Sequence, residues 1–208
     1  MDASACLAGI RLMPVLVLQD AATAITLGGM LKEVGFPALE VTLRTPEALA
    51  CLAALAKAYP TLRVGAGSLR QADQFSAVKA AGAAFAVAPG HSETLLQAAA
   101  HAGMPFIPGA ATGSEMLRLL DAGYTLQKFF PAETLGGAAA IKSYAAPLPE
   151  VRFFPTGGIT AATLPAYLAL PAVATVGGSW FLSASDLSAG HREAVAESAQ
   201  VAWSLAHG

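Results

Sequence analysis

Charge is scarce in this 208-residue chain: Asp, Glu, Lys and Arg supply 12% of it, while 55% is hydrophobic. The 12 basic and 14 acidic residues leave a net charge of −2. Such a balance gives nucleic acid no electrostatic footprint, and no basic cluster suits an anionic membrane surface, so an anionic ligand has to be held by local groups. Cysteine is almost absent. Cys6 and Cys51 lie in unrelated contexts, which excludes a disulfide framework or a thiolate metal site and predicts a reducing, cytoplasmic setting. The four histidines (His91, His101, His191 and His207) lack the spacing of a ligand set. No metal or cofactor is therefore expected, and no serine or cysteine triad can be read.

From Phe153 to Ser185 charge disappears altogether, over a span long enough to raise a transmembrane helix. Pro155, Pro165 and Pro171, with the pairs Gly157-Gly158 and Gly177-Gly178, divide it into short elements, so it reads as buried strands around a helix. The opening MDASACLAGIRLMPVLVL is apolar enough to suggest a secretory signal, but Asp2 occupies its start and Arg11 interrupts it. Neither a membrane span nor a signal peptide is expected.

What the chain does have is a regular alternation. Short apolar runs at 12–18, 38–43, 62–66, 84–88, 104–108, 125–130, 151–155 and 172–177 read as buried strands. Alanine- and leucine-rich stretches at about 20–34, 46–58, 71–81, 92–102, 112–122, 137–145, 160–169 and 186–206 read as helices. Gly35, Gly82, Gly103 and Gly123 follow helical candidates, where left-handed caps belong. Eight such βα units with no linker between them predict a single α/β domain over 1–208, a TIM (β/α)8 barrel with a short N-terminal extension and a closing C-terminal helix. An open doubly wound sheet is the alternative, but no G-x-G-x-x-G follows the first strand.

In a TIM barrel the chemistry sits at the C-terminal ends of the strands. Four of the five lysines (Lys32, Lys57, Lys79 and Lys142) fall in helical candidates, and Lys128 alone falls in a strand. A strand lysine can simply snorkel or pair with a carboxylate. Here Phe129, Phe130 and Pro131 follow at once, and a dry setting favours the neutral, nucleophilic form of an amine. In LEVTLRTPE, Glu40 and Thr42 share one face and Arg44 lies at the strand end. That is either a structural ion pair or an acid/base beside an anion clamp. The glycine-rich VGAGS (64–68), TGG (156–158) and VGGS (176–179) follow strands three, seven and eight. Each alone fits a tight turn, whereas the last two together fit a phosphate site built from backbone N–H groups and the Ser179 hydroxyl.

The set EVTLRT (40–45), GAGS (65–68), KFFPAE (128–133), PTGGI (155–159) and GGSW (177–180), in this order, resembles the 2-keto-3-deoxy-6-phosphogluconate (KDPG) aldolase and 4-hydroxy-2-oxoglutarate aldolase family, over about residues 12–185. The resemblance implies a class I aldolase on a TIM barrel, usually a cytoplasmic homotrimer. Its partners would be a keto-deoxy sugar acid phosphate and pyruvate, with no metal. By position it assigns Lys128 to the Schiff base, Glu40 to acid/base work, and Arg44 and Ser68 to the substrate carboxylate. It also assigns Gly157, Gly158, Gly178 and Ser179 to the phosphate, and Thr156, Phe130 and Pro89 to the pocket wall. One departure is visible: Ser68 replaces the family's usual threonine, keeping the hydroxyl and losing a methyl, which predicts looser carboxylate binding. The competing readings are aldolases for 4-hydroxy-2-oxoglutarate or the phosphogalactonate isomer, a non-covalent sugar-phosphate isomerase or epimerase, and a non-catalytic sugar-phosphate sensor.

Overall fold

The computed structural model describes residues 3–182 and 191–208. Its elements run β1 (Leu12–Leu16), α1 (Ala21–Val34), β2 (Ala38–Thr42), α2 (Ala48–Ala58), β3 (Arg63–Gly67), α3 (Gln74–Ala80), β4 (Phe85–Val87), α4 (Glu93–Ala102), β5 (Phe106–Ile107), β6 (Gly109–Ala110), α5 (Gly113–Asp121), β7 (Leu126–Phe129), α6 (Gly137–Ala145), β8 (Arg152–Pro155), α7 (Leu164–Leu168), β9 (Val176–Gly178) and α8 (Arg192–His207). The strands are parallel and form two sheets, ordered β5-β4-β3-β2-β1-β9 and β6-β7-β8, in an α/β fold whose parallel sheet makes a half-barrel. Strand order climbs from β1 to β5 without reversing, so the switch point of a doubly wound sheet is missing from the described residues.

Local chemistry explains where elements start, stop and break. Asp20 and Ser92 cap α1 and α4 by accepting from Thr23 N and Leu95 N, and Thr112 with Glu115 forms a capping box on α5. Proline limits the fifth candidate strand: it begins only after Pro105, and Pro108 splits it into β5 and β6. The candidate helix at 160–169 shortens to α7 because Thr160 and Thr163 bond each other's backbone N–H, at 3.1 and 3.4 Å, and make a turn of its first residues. Strand eight is likewise shorter than its apolar run, starting at Val176, although Ala172 and Ala174 still bond to Phe153 of β8. The first part of the closing helix, at 186–190, lies outside the described residues.

Two apolar cores result from the alternation of side chains along each strand. The larger packs the outer faces of the strands against the helices, using residues such as Leu39, Val41, Phe129 and Phe153. A smaller inner core holds Met13, Ala38, Phe85, Val87, Ile107, Leu126 and Phe154, together with Ala3, Leu7 and Ile10 of the N-terminal segment. Glu40 lies two residues beyond Ala38 and Lys128 two beyond Leu126. Both therefore project inward, on the side toward which the strands run.

Candidate active site

Lys128 is pinned by its backbone on both sides. It stands opposite Gly109 of β6 and Phe154 of β8, and its N–H donates to Pro108 O at 2.9 Å. Its ammonium donates to Glu40 Oε1 at 3.5 Å, in a pair whose residues are 2% and 0% exposed. Glu40 Oε2 has no hydrogen-bond partner in the structure. The Phe130 and Phe154 rings lie 5.2 and 6.0 Å from the Lys128 nitrogen, so its remaining surroundings are aromatic faces rather than water. Burying a lone pair of charges this way costs several kcal/mol per ion in effective desolvation, on the order of what the pair regains. The arrangement is better suited to moving a proton than to holding the fold.

The two threonines of EVTLRT secure the strand that carries Glu40. Thr42 Oγ1 donates to Leu16 O at 2.9 Å and Thr45 Oγ1 donates to Leu18 O, so both hydroxyls hold β2 to the end of β1. Arg44 reaches from beyond β2 and donates through Nε to Ser68 Oγ at 3.2 Å. Ser68 ends the GAGS turn at φ +63°, the only non-glycine with positive φ among the described residues. Leu43, Arg44, Ser68, Arg70, Pro89 and Phe130 line a cavity of about 380 Å³. The structure thus brings Arg44, Ser68, Pro89 and Phe130 together, with Phe130 also facing Lys128. Arg70 is the residue that the sequence reading missed. Its position two residues past Ser68 is the one available clue, because turn geometry rather than strand alternation directs it to the cavity.

The candidate phosphate residues stand at the ends of β8 and β9, which meet through a bridge between Thr156 and Gly177. Thr156 is buried, and its Oγ1 has no partner. Gly157 and Gly158 have φ of +105° and +78°, and a Cβ on Gly157 would press on the Phe130 ring at 3.2 Å. Ala132 N and Glu133 N donate to Thr156 O and Gly157 O, fastening this turn to the KFFPAE loop. Glu133 accepts in turn from Tyr167 Oη at 2.7 Å, and burial first, then this carboxylate, pushes the Tyr167 phenol well above its usual range. Ser179 is exposed. Gly178 has an additional structural reason to be glycine, since a Cβ there would overlap the Trp180 ring.

No three His, Cys, Asp or Glu side chains are grouped to hold a metal among the described residues. No helix among them is long and apolar enough to cross a membrane.

The sequence profile of KDPG and KHG aldolases matches residues 4–198. The chain belongs to that family. It is 43% identical over 196 residues to the 2-dehydro-3-deoxy-phosphogluconate aldolase of Pseudoalteromonas atlantica, covering 94% of this chain and 91% of that protein. It is 42% identical over 190 residues to the KHG/KDPG aldolase of Escherichia coli K12, covering 91% and 89%. Among solved structures it resembles the KDPG aldolase of Legionella pneumophila with pyruvate captured as a covalent carbinolamine. That match has a TM-score of 0.91 at 38% identity and covers 96% of this chain and 97% of the other. The chain is accordingly a carbon–carbon lyase, and the aldolase reading stands over the isomerase and sensor readings.

Proposed function

We propose that this family member cleaves 2-keto-3-deoxy-6-phosphogluconate to pyruvate and glyceraldehyde 3-phosphate, with Lys128 as the Schiff-base nucleophile and Glu40 as the proton shuttle. The observation that carries the assignment is the buried 3.5 Å contact between the two side chains. Proton transfer from Lys128 to Glu40 leaves a neutral amine, which adds to the C2 carbonyl. Glu40 returns that proton to the alkoxide to give the carbinolamine, then carries one of the two protons on its nitrogen to the hydroxyl, and water leaves to give a protonated imine. Glu40 takes the C4 hydroxyl proton as the C3–C4 bond breaks, releasing the aldehyde, and the electron pair of that bond moves into the imine to form an enamine. Glu40 returns the proton to C3, and hydrolysis of the imine by water frees pyruvate and restores Lys128. The imine is itself the electron sink, so these steps balance without a metal or cofactor.

Arg44, Ser68 and Arg70 supply the donors for the C1 carboxylate, at the cavity that Phe130 and Pro89 complete. Gly157, Gly158, Gly178 and Ser179 receive the phosphate end, beside Thr156 of the pocket wall, where backbone N–H groups and the Ser179 hydroxyl suit a dianion that a chain of net charge −2 does not attract at long range. The half-barrel completes a single-domain (β/α)8 barrel when β5 and β6 are counted as one strand broken at Pro108 and the Thr156–Gly177 bridge joins β8 to β9. A cytoplasmic homotrimer is the assembly that the family resemblance supports. The test is borohydride reduction in the presence of pyruvate. The expected result is a mass adduct on the peptide carrying Lys128, and modification confined to another lysine would overturn the assignment.

A further inference from the structure

We propose that Gly67 is a positioning residue of the aldol site, whose missing side chain is the space that the Glu40 side chain occupies beside Lys128. This rests on the proton-transfer role proposed above for Glu40. Gly67 closes β3 opposite Thr42, and Glu40 pairs with Gly65, so the Glu40 side chain runs diagonally across the inner face of β3 toward Gly67. A Cβ built on Gly67 would lie 2.5 Å from Glu40 Cδ and 2.7 Å from Cγ, and closer still to Oε1; these are its three nearest heavy atoms. Its backbone is not among those with positive φ, so the left-handed conformation does not account for the glycine, and the Glu40 side chain is what a Cβ would meet first.

Gly65 of the same motif is different, because the Phe85 ring takes its side-chain space and ordinary packing accounts for it. Glu40 has nowhere equivalent to go: it is fully buried, and Lys128 is the partner it has. Displacing the carboxylate by about 1 Å is enough to cost ~10²-fold in rate when the group acts on reacting atoms. Gly67 therefore fixes the distance between acid/base and nucleophile without touching substrate.

A stability cycle tests the geometry. Gly67→Ala should lower the thermal midpoint of the parent and have little effect in the Glu40→Ala/Lys128→Met background, where the carboxylate is gone and no buried charge is left unpaired. Equal losses in both backgrounds would overturn the inference. If Gly67→Ala does not fold in the parent, a protein that folds when Gly67→Ala is added to the Glu40→Ala/Lys128→Met background supports it, and one that unfolds there overturns it.

A kinetic cycle tests the role. Gly67→Ala should reduce kcat for aldol cleavage about 10²-fold with KM little changed. Adding the shorter Glu40→Asp should restore part of that loss, although Glu40→Asp alone slows the parent. Losses that multiply, or a Gly67→Ala kcat within about threefold of the parent, would overturn the inference. Normal turnover in Glu40→Gln would instead overturn the proton-transfer reading and this inference with it. A slow Glu40→Gln beside a normal Gly67→Ala would overturn this inference alone.

Discussion

Lys128 Nζ and Glu40 Oε1 stand 3.5 Å apart on strands separated by 88 residues of chain, both closed off from solvent. Removing one member leaves the other charge buried and uncompensated, at a cost of about 3–5 kcal/mol. Lys128→Met should therefore be strongly destabilised, and adding Glu40→Gln should recover most of the loss. Urea titration of the parent, both single variants and the double variant measures the coupling, and strictly additive losses would contradict it.

Arg70 should act on affinity rather than on chemistry. It shares the 380 Å³ cavity with Arg44; its backbone N–H donates to Gln74 Oε1 at 2.7 Å, and its guanidinium has no hydrogen bond or ion pair among the described residues. Arg70→Gln should raise the KM for pyruvate in the condensation direction several-fold, on the order of ~1 kcal/mol for one exposed cation, and weaken its dependence on salt. The kcat at saturating pyruvate should hold. Steady-state kinetics at low and high ionic strength decide the matter, and a fall in kcat alone would argue against a carboxylate contact.

The methyl that Ser68 lacks would not suit its backbone. At φ +63° a β-branched side chain is strained, by an amount on the order of 1–3 kcal/mol. Ser68→Thr should accordingly lower the thermal midpoint while keeping the hydroxyl that accepts from Arg44. Calorimetry that shows a more stable threonine variant would mean that the backbone relaxes at no cost.

The phosphate end is better probed at Ser179 than at Gly178, since Trp180 packs where a Gly178 side chain would go. Ser179→Asp places a negative charge at an exposed position, so its fold should survive. The expected outcome is a kcat/KM at least about tenfold lower for the phosphorylated substrate, with pyruvate trapping at Lys128 unaffected. Equal losses with phosphorylated and unphosphorylated substrates would remove phosphate binding from this loop.

Acid should loosen α5 early. Bonds from the Ala111 N–H first, and then from Thr112, hold the Glu115 carboxyl below its ordinary value against a smaller opposing effect of burial. Its folded pKa is depressed, so its contribution is complete above the unfolded value of about 4.3 and is lost as pH falls through the folded value. Glu115→Gln should flatten the acid limb of a plot of thermal midpoint against pH, and the two proteins should converge at the acid end. Parallel curves would show that Glu115 does not contribute to that limb.

The strand positions of Lys128 and Glu40 were legible in the sequence because short apolar runs are a strong local signal. Alternation puts Glu40 on the face of Ala38 and Lys128 on the face of Leu126, but both faces of these strands are buried, so which one is inward is seen only in the fold. Arg70 was not legible, because its approach to the cavity depends on the left-handed turn at Ser68, which no periodicity reports. Gly67 was hidden for another reason: a glycine at a strand end is normally read as a turn, and only the placement of Glu40 shows the space to be occupied. The splitting of β5 and β6 could have been anticipated from Pro108, whose missing N–H interrupts a ladder wherever it falls.

The inner core begins with the chain itself. Ala3, Leu7 and Ile10 pack with Ala38, Phe85 and Leu126 where the strands start, and Arg63 donates to Cys6 O at 2.6 Å across that end. The proposed reaction chamber is therefore closed at the end where the strands start, and the proposed mechanism gives traffic through it an order. The fragment tethered to Lys128 is the last to leave: the aldehyde departs first, and pyruvate follows once its imine is hydrolysed. In the condensation direction the sequence reverses, with pyruvate entering an empty chamber and the aldehyde arriving second. Pyruvate should then compete with the cleaved substrate for the free enzyme, whereas the aldehyde should meet an enzyme that already carries its enamine.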